Sequence, residues 1–393
     1  MIKIIHYKAG SYLPIVETYI YEVIKNLKRY DPIVYALSTE NLNIFPTRSI
    51  RSLKLRKGLG SFSIFFNKGW NTLFNFYPGF IFSLLKDKPG LIHAHFGPSG
   101  YNFLFYKWLF KLPMITNFYG YDMSLLPKQD SRWRKRYAKL FNQGNCFLVE
   151  GYNMKKSLME LGCPEEKIIV QHIGIDLEKI KFAPRNISTD GLVKVLIASR
   201  FREKKGIPYA VEAFGRVKKS HPQLNLELTL IGDSDGTIKG EAEKKNILDA
   251  IDKYNLKKHV RLLGFMPYDS LIEEARKYHI FLSPSVTASD GDSEGGVPVA
   301  IIGMSASGMP VLSTKHCDIP EVVIDGKSGF LVNEKDVNAL AEKLEFLILN
   351  PGKWKAMGEY GRRHLETEYD IKKQLSKIEE IYDRFIYQPD LKE

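Results

Sequence analysis

Short apolar stretches alternate along this chain with longer segments whose apolar residues recur at helical spacing. The candidate strands are IKIIH, IVYAL, LIHAH, MIT and CFLV in the first half, and VKVLIAS, LELTLI, HVRLL, HIFLS, PVLS and GFLV in the second. Intervening segments such as GIPYAVEAFGRVKKS and VNALAEKLEFLIL are typical of helices. Strands that are apolar throughout and separated by helices indicate parallel sheets covered on both faces, so the predicted fold class is α/β.

The strands form two sets, separated by the polar stretch KFAPRNISTDG. With 393 residues the chain is long enough for two domains of about 150–200 residues each. We predict a doubly wound, Rossmann-like domain at 1–180, a linker at 181–191 and a second such domain at 192–369, the two facing a cleft. The helical pattern DIKKQLSKIEEIYDRFI opens the last segment, 370–393, and is predicted to cross back to the N-terminal domain.

The cysteine pattern and the N-terminal residues indicate a cytoplasmic protein. Three scattered cysteines, Cys146, Cys163 and Cys317, show no metal-ligand spacing and fit a reducing compartment. The opening residues MIKIIHYKAG are typical of a buried strand rather than a secretory signal, and no apolar run is long enough for a membrane span.

Basic residues are concentrated in the first half of the chain. Residues 1–190 carry 27 Lys and Arg against 14 Asp and Glu, whereas residues 191–393 carry 30 against 31. The segment RSIRSLKLRKG (48–58) precedes the aromatic-rich stretch 60–85, a combination that fits an anionic membrane face. An ordinary helix pair beside a solvated charged loop fits equally well. Nucleic acid is not expected as a partner, because no recognisable module accompanies the charge.

Glycine-rich turns follow several of the predicted strands. They are KAGSYLP, HFGPSG, SRFREKKG, IGDSDG and SDGDSEGGVPVAIIG. In doubly wound sheets, ligands bind beyond the carboxyl ends of the strands, where such turns lead into helices. Arg200 and Lys205, in SRFREKKG, could hold a diphosphate with a bidentate guanidinium and an ammonium. The alternative for these two residues is a solvated basic turn.

The acidic turn SDGDSEGG (289–296) could hold a metal, hold a sugar or cap the following helix. As a calcium loop it would have Asp290, Asp292 and Glu294 at positions 1, 3 and 5, but Ile301 stands where the loop needs a glutamate. We therefore expect no metal site. Glu294 is the candidate functional acid, and Asp290 and Asp292 are expected to shape the loop.

The motifs SRFREKKGIPYAVEAF, IGDSDG, VRLLGFM, SPSVTASDGDSEGGVPV, ASGMPVLST and IPEVVIDGKSGFLV resemble, in order and spacing, those of the family 4 glycosyltransferases. In the first half, SYLPIVETYIYEVIKNL, IHAHFG and NFYGYDMS are similar to the branch that builds exopolysaccharides such as colanic acid. The resemblance implies the GT-B fold and retaining sugar transfer from a nucleoside-diphosphate sugar, without a cofactor or metal. It also implies a nucleotide-sugar partner and, with the basic first half, a lipid-linked oligosaccharide acceptor at the inner membrane surface.

The resemblance also implies roles for individual residues. Arg200 and Lys205 would hold the donor diphosphate, and Glu294 and His95 would join them as the catalytic set. Tyr119 and His95 would form the wall of the acceptor and sugar site, whereas His93 is assigned a structural role on the opposite face of its strand. The remaining donor contacts would come from Gly10, Ser11, Gly295, Gly296 and Val297 at the phosphates and from Gly264, Phe265 and Met266 at the base.

Two positions depart from the family pattern. Gly303 stands where relatives carry a second glutamate that binds the ribose hydroxyls, with Ile302 at strict eight-residue spacing, and Tyr119 replaces a common histidine. Losing a charge-assisted hydrogen bond to ribose would cost about 1.5–3 kcal/mol of donor binding. The alternative function is therefore a catalytically impaired protein that binds nucleotide sugars or glycans. A nucleotide-sugar epimerase is disfavoured, because its acid/base clusters are not evident.

Overall fold

A computed structural model of the chain describes residues 1–14, 17–53, 69–70, 76–187 and 189–387. The chain divides into two compact units. Unit 1 comprises Met1–Gly174 with Ile371–Glu393, and unit 2 comprises Ile175–Asp370. Two parts of the aromatic stretch 60–85 lie outside the described residues, namely 60–68 and 71–75. The same holds for Lys54, Arg56 and Lys57 of the basic segment.

Unit 1 contains, among its described residues, a seven-stranded sheet in the order β3-β2-β1-β4-β5-β6-β7. Every neighbouring pair is parallel. The strands are β1 (Ile2–Tyr12), β2 (Tyr30–Thr39), β3 (Ile50–Ser52), β4 (Leu91–His95), β5 (Met114–Asn117), β6 (Cys146–Val149) and β7 (Ile168–Val170). All five residues of β4 are buried, as expected for a central strand covered on both faces.

The helices of unit 1 lie between these strands along the chain. They are α1 (Thr18–Asn26), α2 (Gly79–Asp87), α3 (Gly97–Phe110), α4 (Tyr121–Ser124), α5 (Leu126–Gln129), α6 (Arg132–Gln143) and α7 (Tyr152–Glu160). Aromatic rings fill much of the core between sheet and helices, and Tyr7 of β1 stacks on Phe103 of α3 with ring centroids 3.8 Å apart.

Unit 2 contains a six-stranded parallel sheet within its described residues, in the order β10-β9-β8-β11-β12-β13. Its strands are β8 (Val193–Ala198), β9 (Leu226–Ile231), β10 (Val260–Leu262), β11 (Ile280–Ser283), β12 (Val311–Thr314) and β13 (Gly329–Val332). Its helices are α8 (Ile207–Ser220), α9 (Ile238–Lys253), α10 (Tyr268–Glu274), α11 (Val299–Ala306), α12 (Ile319–Val322), α13 (Val337–Leu349) and α14 (Trp354–Glu368). The predicted α/β class with two Rossmann-like sheets is confirmed.

The segment predicted to be a linker, 181–191, falls within unit 2, which begins at Ile175. Most of its described residues are exposed, as its polar composition predicts. Arg185 is the exception: it is 4% exposed, and its guanidinium donates to Ser307 Oγ at 2.9 Å and to the Ala183 carbonyl at 2.8 Å.

The last helix, α15 (Ile371–Tyr387), belongs to unit 1, as the sequence predicted. Its buried residue Glu379 accepts the backbone N–H groups of Lys28 and Arg29, both at 2.7 Å. Tyr382, also buried, bonds His93 Nδ1 through its hydroxyl at 2.6 Å. These bonds join residues about 290–350 positions apart, so the helix is a structural part of the N-terminal unit.

No helix among the described residues combines the length and the apolar character needed to cross a membrane.

Glu379→Ala is expected to destabilise unit 1, because two partly buried N–H groups lose their acceptor. We expect the free energy of unfolding to fall by about 2 kcal/mol. That corresponds to a thermal midpoint roughly 4–8 °C lower for a unit of this size, measurable by scanning calorimetry. The matched control is Glu380→Ala, whose exposed neighbouring side chain should change the midpoint little. Equal shifts for the two variants would contradict this role of Glu379.

Candidate active site

In unit 2 the strand order reverses between β8 and β11, which lie side by side. Two loops leave the carboxyl ends of these strands at this switch point, where doubly wound sheets bind ligands. The loops are bonded directly, since the Val286 N–H donates to the Lys204 carbonyl at 2.9 Å. Gly206 has a φ of +62°, and a Cβ there would lie 2.0 Å from the Pro284 carbonyl oxygen. Only glycine allows this approach of the two loops.

Lys205 and Glu294 form an ion pair across these two loops. Lys205 Nζ lies 2.8 Å and 2.7 Å from the two carboxylate oxygens, and Ser285 Oγ donates to Oε1 at 2.8 Å. The two side chains are 17% and 6% exposed. Burial opposes ionisation of Glu294, but Lys205 and Lys204 outweigh it and hold the pKa of this carboxyl below its ordinary value.

Arg200 lies two residues beyond the end of β8, and it is exposed. No described residue forms a hydrogen bond or an ion pair with its guanidinium. Arg200 and Lys205 therefore lie in the same strand-end loop but differ in state: Lys205 is paired with Glu294, whereas the five N–H donors of Arg200 meet no acceptor within the described part of the chain.

Each acid of the turn SDGDSEGG pairs with a lysine of its own. Asp290 Oδ2 lies 2.6 Å from Lys239 Nζ, and Asp292 Oδ1 lies 3.2 Å from Lys204 Nζ. Asp290 Oδ1 also accepts the Asp292 N–H at 2.9 Å, so these two acids fix the course of the turn. The third acid, Glu294, forms the buried ion pair with Lys205 that is described above.

The other unit 2 residues predicted to bind the donor lie in two segments, one directly after Glu294 and one after β10. Gly295, Gly296 and Val297 are buried just before α11, and Gly295 has a φ of +76°. Gly264 accepts the Gly232 N–H at 2.8 Å, which brings the turn after β10 to the carboxyl end of β9. Beyond it, Phe265 is 64% exposed and Met266 packs partly on the core.

Gly303 lies on α11 under the side chain of Tyr268. A Cβ at position 303 would lie 2.4 Å from the Tyr268 hydroxyl oxygen and 3.1 Å from Ile272 Cδ1. Tyr268 thus fills the space into which a longer side chain at 303 would extend.

In unit 1, Gly10 and Ser11 lie near the end of β1, where the pairing register with β2 shifts. Gly10 has a φ of +96°, and a Cβ there would meet no atom within 4 Å. The buried Ser11 Oγ has no hydrogen-bond partner among the described residues. The Ser11 carbonyl accepts Lys8 Nζ at 2.8 Å.

His95 lies at the end of β4 in a buried hydrogen-bond chain. Its Nδ1 lies 2.7 Å from the Tyr119 hydroxyl and its Nε2 lies 3.1 Å from His6 Nδ1. Burial, together with His93, His6 and Lys8, lowers the pKa of His95 well below its ordinary value, so the ring is neutral. The ring is 1% exposed, which makes His95 part of an interior network rather than a free wall residue.

The placement of His93 on the opposite face of β4 was wrong. Residues two apart in a strand share a face, and the rings of His93 and His95 stack with centroids 4.6 Å apart. His93 bonds Tyr382 and Asn117, each at 2.6 Å, so both of its ring nitrogens are occupied. His6, His93 and His95 could together offer ligand atoms to a metal ion, but an ion would have to displace either Tyr382 or Asn117 from His93.

Three residues of the unit 2 site were not found from the sequence: Ser285, Tyr268 and His316. Ser285 follows β11 and His316 follows β12, so the rule that located Arg200 also applies to them. His316 Nε2 accepts the backbone N–H of Glu294 at 3.1 Å. No sequence signal marks Tyr268, because its contact with Gly303 depends on how α10 and α11 pack.

Two parallel, Rossmann-like sheets with a polar cluster at the strand ends define the GT-B class of proteins. A family model described as Glycosyltransferase Family 4 matches residues 16–179, and one described as Glycosyl transferases group 1 matches residues 179–364. The chain belongs to the family 4 glycosyltransferases.

Two relatives are about one third identical to this chain. WcaL of Salmonella typhimurium, named as a colanic acid biosynthesis glycosyltransferase, is 34% identical over 254 residues, which are 64% of this chain and 59% of that protein. The amylovoran biosynthesis glycosyltransferase AmsK of Erwinia amylovora is 34% identical over 270 residues, 69% of this chain and 63% of that protein. The chain thus spans about three fifths of the length of these relatives.

A solved structure agrees with the fold. The Anabaena protein Alr3699/HepE, in complex with UDP and glucose, superimposes with a TM-score of 0.76 at 16% identity, covering 97% of this chain and 99% of that one.

Lys205→Ala is expected to destabilise unit 2, because it leaves the buried Glu294 carboxylate without its cation. Breaking such a pair from one side costs about 3 kcal/mol. Adding Glu294→Gln should recover most of this loss, because the double variant buries no charge. Thermal unfolding of the single and double variants measures the coupling, with the exposed Lys315→Ala as control. Additive losses in the double variant would contradict a coupled pair.

Proposed function

We propose that this protein is a retaining glycosyltransferase that moves a sugar from a nucleoside-diphosphate sugar to a glycan acceptor in surface polysaccharide synthesis. The observation that carries the proposal is the buried Lys205–Glu294 pair at the switch point of unit 2, with Arg200 in the same loop as Lys205 and without a partner among the described residues. Family membership and the similarity to WcaL and AmsK support it.

The cluster has unused hydrogen-bonding capacity on both charges. An ammonium has three donors, and Lys205 directs at most two to Glu294, so one remains for a phosphate oxygen. Within the described residues, Glu294 Oε2 accepts a hydrogen bond from Lys205 alone and keeps a lone pair for a sugar hydroxyl. With Arg200, the site can hold a diphosphate on one side and a sugar on the other.

Transfer then proceeds by stabilising the leaving group. The bond between the anomeric carbon and the phosphate oxygen breaks, and Arg200 and Lys205 neutralise the charge that develops on the diphosphate. The acceptor hydroxyl attacks from the face that the diphosphate leaves, and a phosphate oxygen takes its proton. Positive side chains supply the electrostatic stabilisation, so the reaction is proposed to need neither a metal nor a cofactor.

Arg200→Ala is expected to weaken donor binding without affecting the fold, since its guanidinium has no partner to lose. A charge-assisted hydrogen bond contributes about 1.5–3 kcal/mol, or roughly 10- to 150-fold in Kd. We would measure binding of a panel of nucleotide sugars by calorimetry in the presence of EDTA, followed by transfer assays with the donor that binds.

The matched control is Arg216→Ala, which removes the same charge from α8 about 15 Å along the helix from its first residue. Arg216 pairs with Glu212, and its loss should leave donor affinity within about twofold. No donor binding by the wild type would refute the proposed function, and binding without transfer to any acceptor would favour the impaired alternative.

We further propose that unit 1 contacts an anionic membrane surface, where a lipid-linked acceptor would be found. Trp108 on α3 and Phe82 on α2 are 73% and 70% exposed, and Lys86 and Lys111 beside them are exposed cations. Exposed aromatic residues next to lysines suit the interfacial region of a bilayer. Of the basic segment 48–58, Arg51 is unsuited to this role because Asp87 holds its guanidinium at 2.9 and 2.7 Å.

The double substitution Trp108→Ser with Phe82→Ser is expected to weaken binding to phosphatidylglycerol-containing vesicles by more than about tenfold, since each large side chain contributes roughly 1.5 kcal/mol or more when buried. Vesicle co-sedimentation at low salt measures this. The control is Ile238→Ser in unit 2, which removes a side chain that is 91% exposed. An equal loss with Ile238→Ser, or no binding by the wild type, would contradict the membrane contact.

A further inference from the structure

His316 lies two residues beyond β12, next to the acidic turn, and its side chain is 1% exposed. The Glu294 N–H donates to its Nε2 at 3.1 Å. On the other side of the ring, Nδ1 lies 2.6 Å from Glu334 Oε1. The imidazole therefore bridges the main chain of Glu294 and a carboxylate that follows β13.

These bonds fix which ring nitrogen carries the proton. A backbone N–H can only donate, so Nε2 accepts and the ring proton is on Nδ1, where it is donated to Glu334. Burial opposes ionisation of Glu334, but the Thr287 N–H and His316 outweigh it, and the pKa of this carboxyl lies below its ordinary value. The Thr287 N–H donates at 2.7 Å to the second oxygen of Glu334. Glu334 is thus a stable anionic acceptor for the Nδ1 proton.

The groups that face Nε2 of the ring require this nitrogen to carry no proton. The Cys317 thiol lies 3.1 Å from Nε2, and burial raises the pKa of this thiol to about 11, so it also presents a hydrogen. A proton on Nε2 would oppose both the Glu294 N–H and the thiol. Glu334 accepts the proton on Nδ1, on the other side of the ring.

Glu294 is consequently held through its side chain and also through its backbone. Its carboxylate is fixed by Lys205 and Ser285, and its backbone N–H is fixed by His316. Two further hydrogen bonds hold residues of the turn that precede Glu294. Glu203 accepts the Ser289 N–H, and Lys204 donates to the Ser293 carbonyl. Loss of the His316 bond would free the main chain at the point where the carboxylate is positioned.

We propose that His316, as the neutral Nδ1–H tautomer oriented by Glu334, is a positioning residue that sets the place of the Glu294 carboxylate in the site. The proposal rests on the proposed function in so far as Glu294 meets the donor sugar. His316 itself touches neither the sugar nor the diphosphate.

Two conservative variants separate the two ring nitrogens. The amide oxygen of Gln reaches about as far as Nε2, so His316→Gln keeps an acceptor for the Glu294 N–H, whereas the Asn side chain reaches only as far as Nδ1 and keeps a partner for Glu334. We expect His316→Gln to retain kcat within about threefold. His316→Asn should lower kcat by roughly 10- to 100-fold with a smaller change in KM, as misplacement of a reacting group does.

His221→Gln and His221→Asn are the controls, because His221 also pairs with a glutamate, but it lies just after α8 and its partner Glu345 lies on α13, away from the carboxyl ends of the strands. Equal kcat for His316→Gln and His316→Asn would overturn the proposal.

Nitrogen NMR of ¹⁵N-histidine-labelled protein tests the tautomer without any activity. We expect His316 to carry its proton on Nδ1 at neutral pH, and the Glu294 amide resonance to shift in His316→Asn more than in His316→Gln. A charged ring or an Nε2–H tautomer would overturn the proposal even if transfer occurs. A correct tautomer in a protein that transfers no sugar would instead count against the proposed function alone.

Discussion

The charge pair between Lys205 and Glu294 governs the arrangement of the unit 2 site, because each charge is acceptable in its buried place only while the other is present. Removing two charges from water is costly, and the cost is offset by short contacts of 2.7 and 2.8 Å and by the Ser285 hydroxyl. The pair belongs to two different loops, so it holds them in register at the strand ends. Gly206 permits this contact by letting the first loop touch the backbone of the second.

The two units use the ends of their parallel strands in different ways. In unit 2 the strand-end residues carry full charges, and three lysines face three acids of one turn. In unit 1 the histidines near the strand ends form a neutral network, in which burial keeps the imidazoles of His6, His93 and His95 uncharged, and the charges beside it belong to the Lys8–Glu17 ion pair. Charged groups suit a diphosphate, whereas a neutral network of rings and hydroxyls sets shape and direction without attracting an anion.

Periodicity located the two sheets, the C-terminal helix and the loops that carry Arg200, Lys205 and Glu294, because these depend on local pattern and on the rule that ligands meet strand ends. The periodicity of the sequence does not predict contacts between distant segments. Arg51 was taken as a surface cation, yet Asp87 binds it from 36 residues away. His316 reaches the backbone of Glu294 because β11 and β12 are neighbours in the sheet, which the order of strands along the chain does not dictate. The buried Arg185 likewise could not be told from a solvated arginine in a linker.

The contact between Tyr268 and Gly303 has a consequence for how this sequence can change. A glutamate introduced at 303 would collide with the Tyr268 hydroxyl, since even its Cβ would lie 2.4 Å from that oxygen. The reverse order is open, because a smaller residue at 268 would leave Gly303 undisturbed. A carboxylate at 303 therefore requires the Tyr268 side chain either to turn aside or to be replaced by a smaller one.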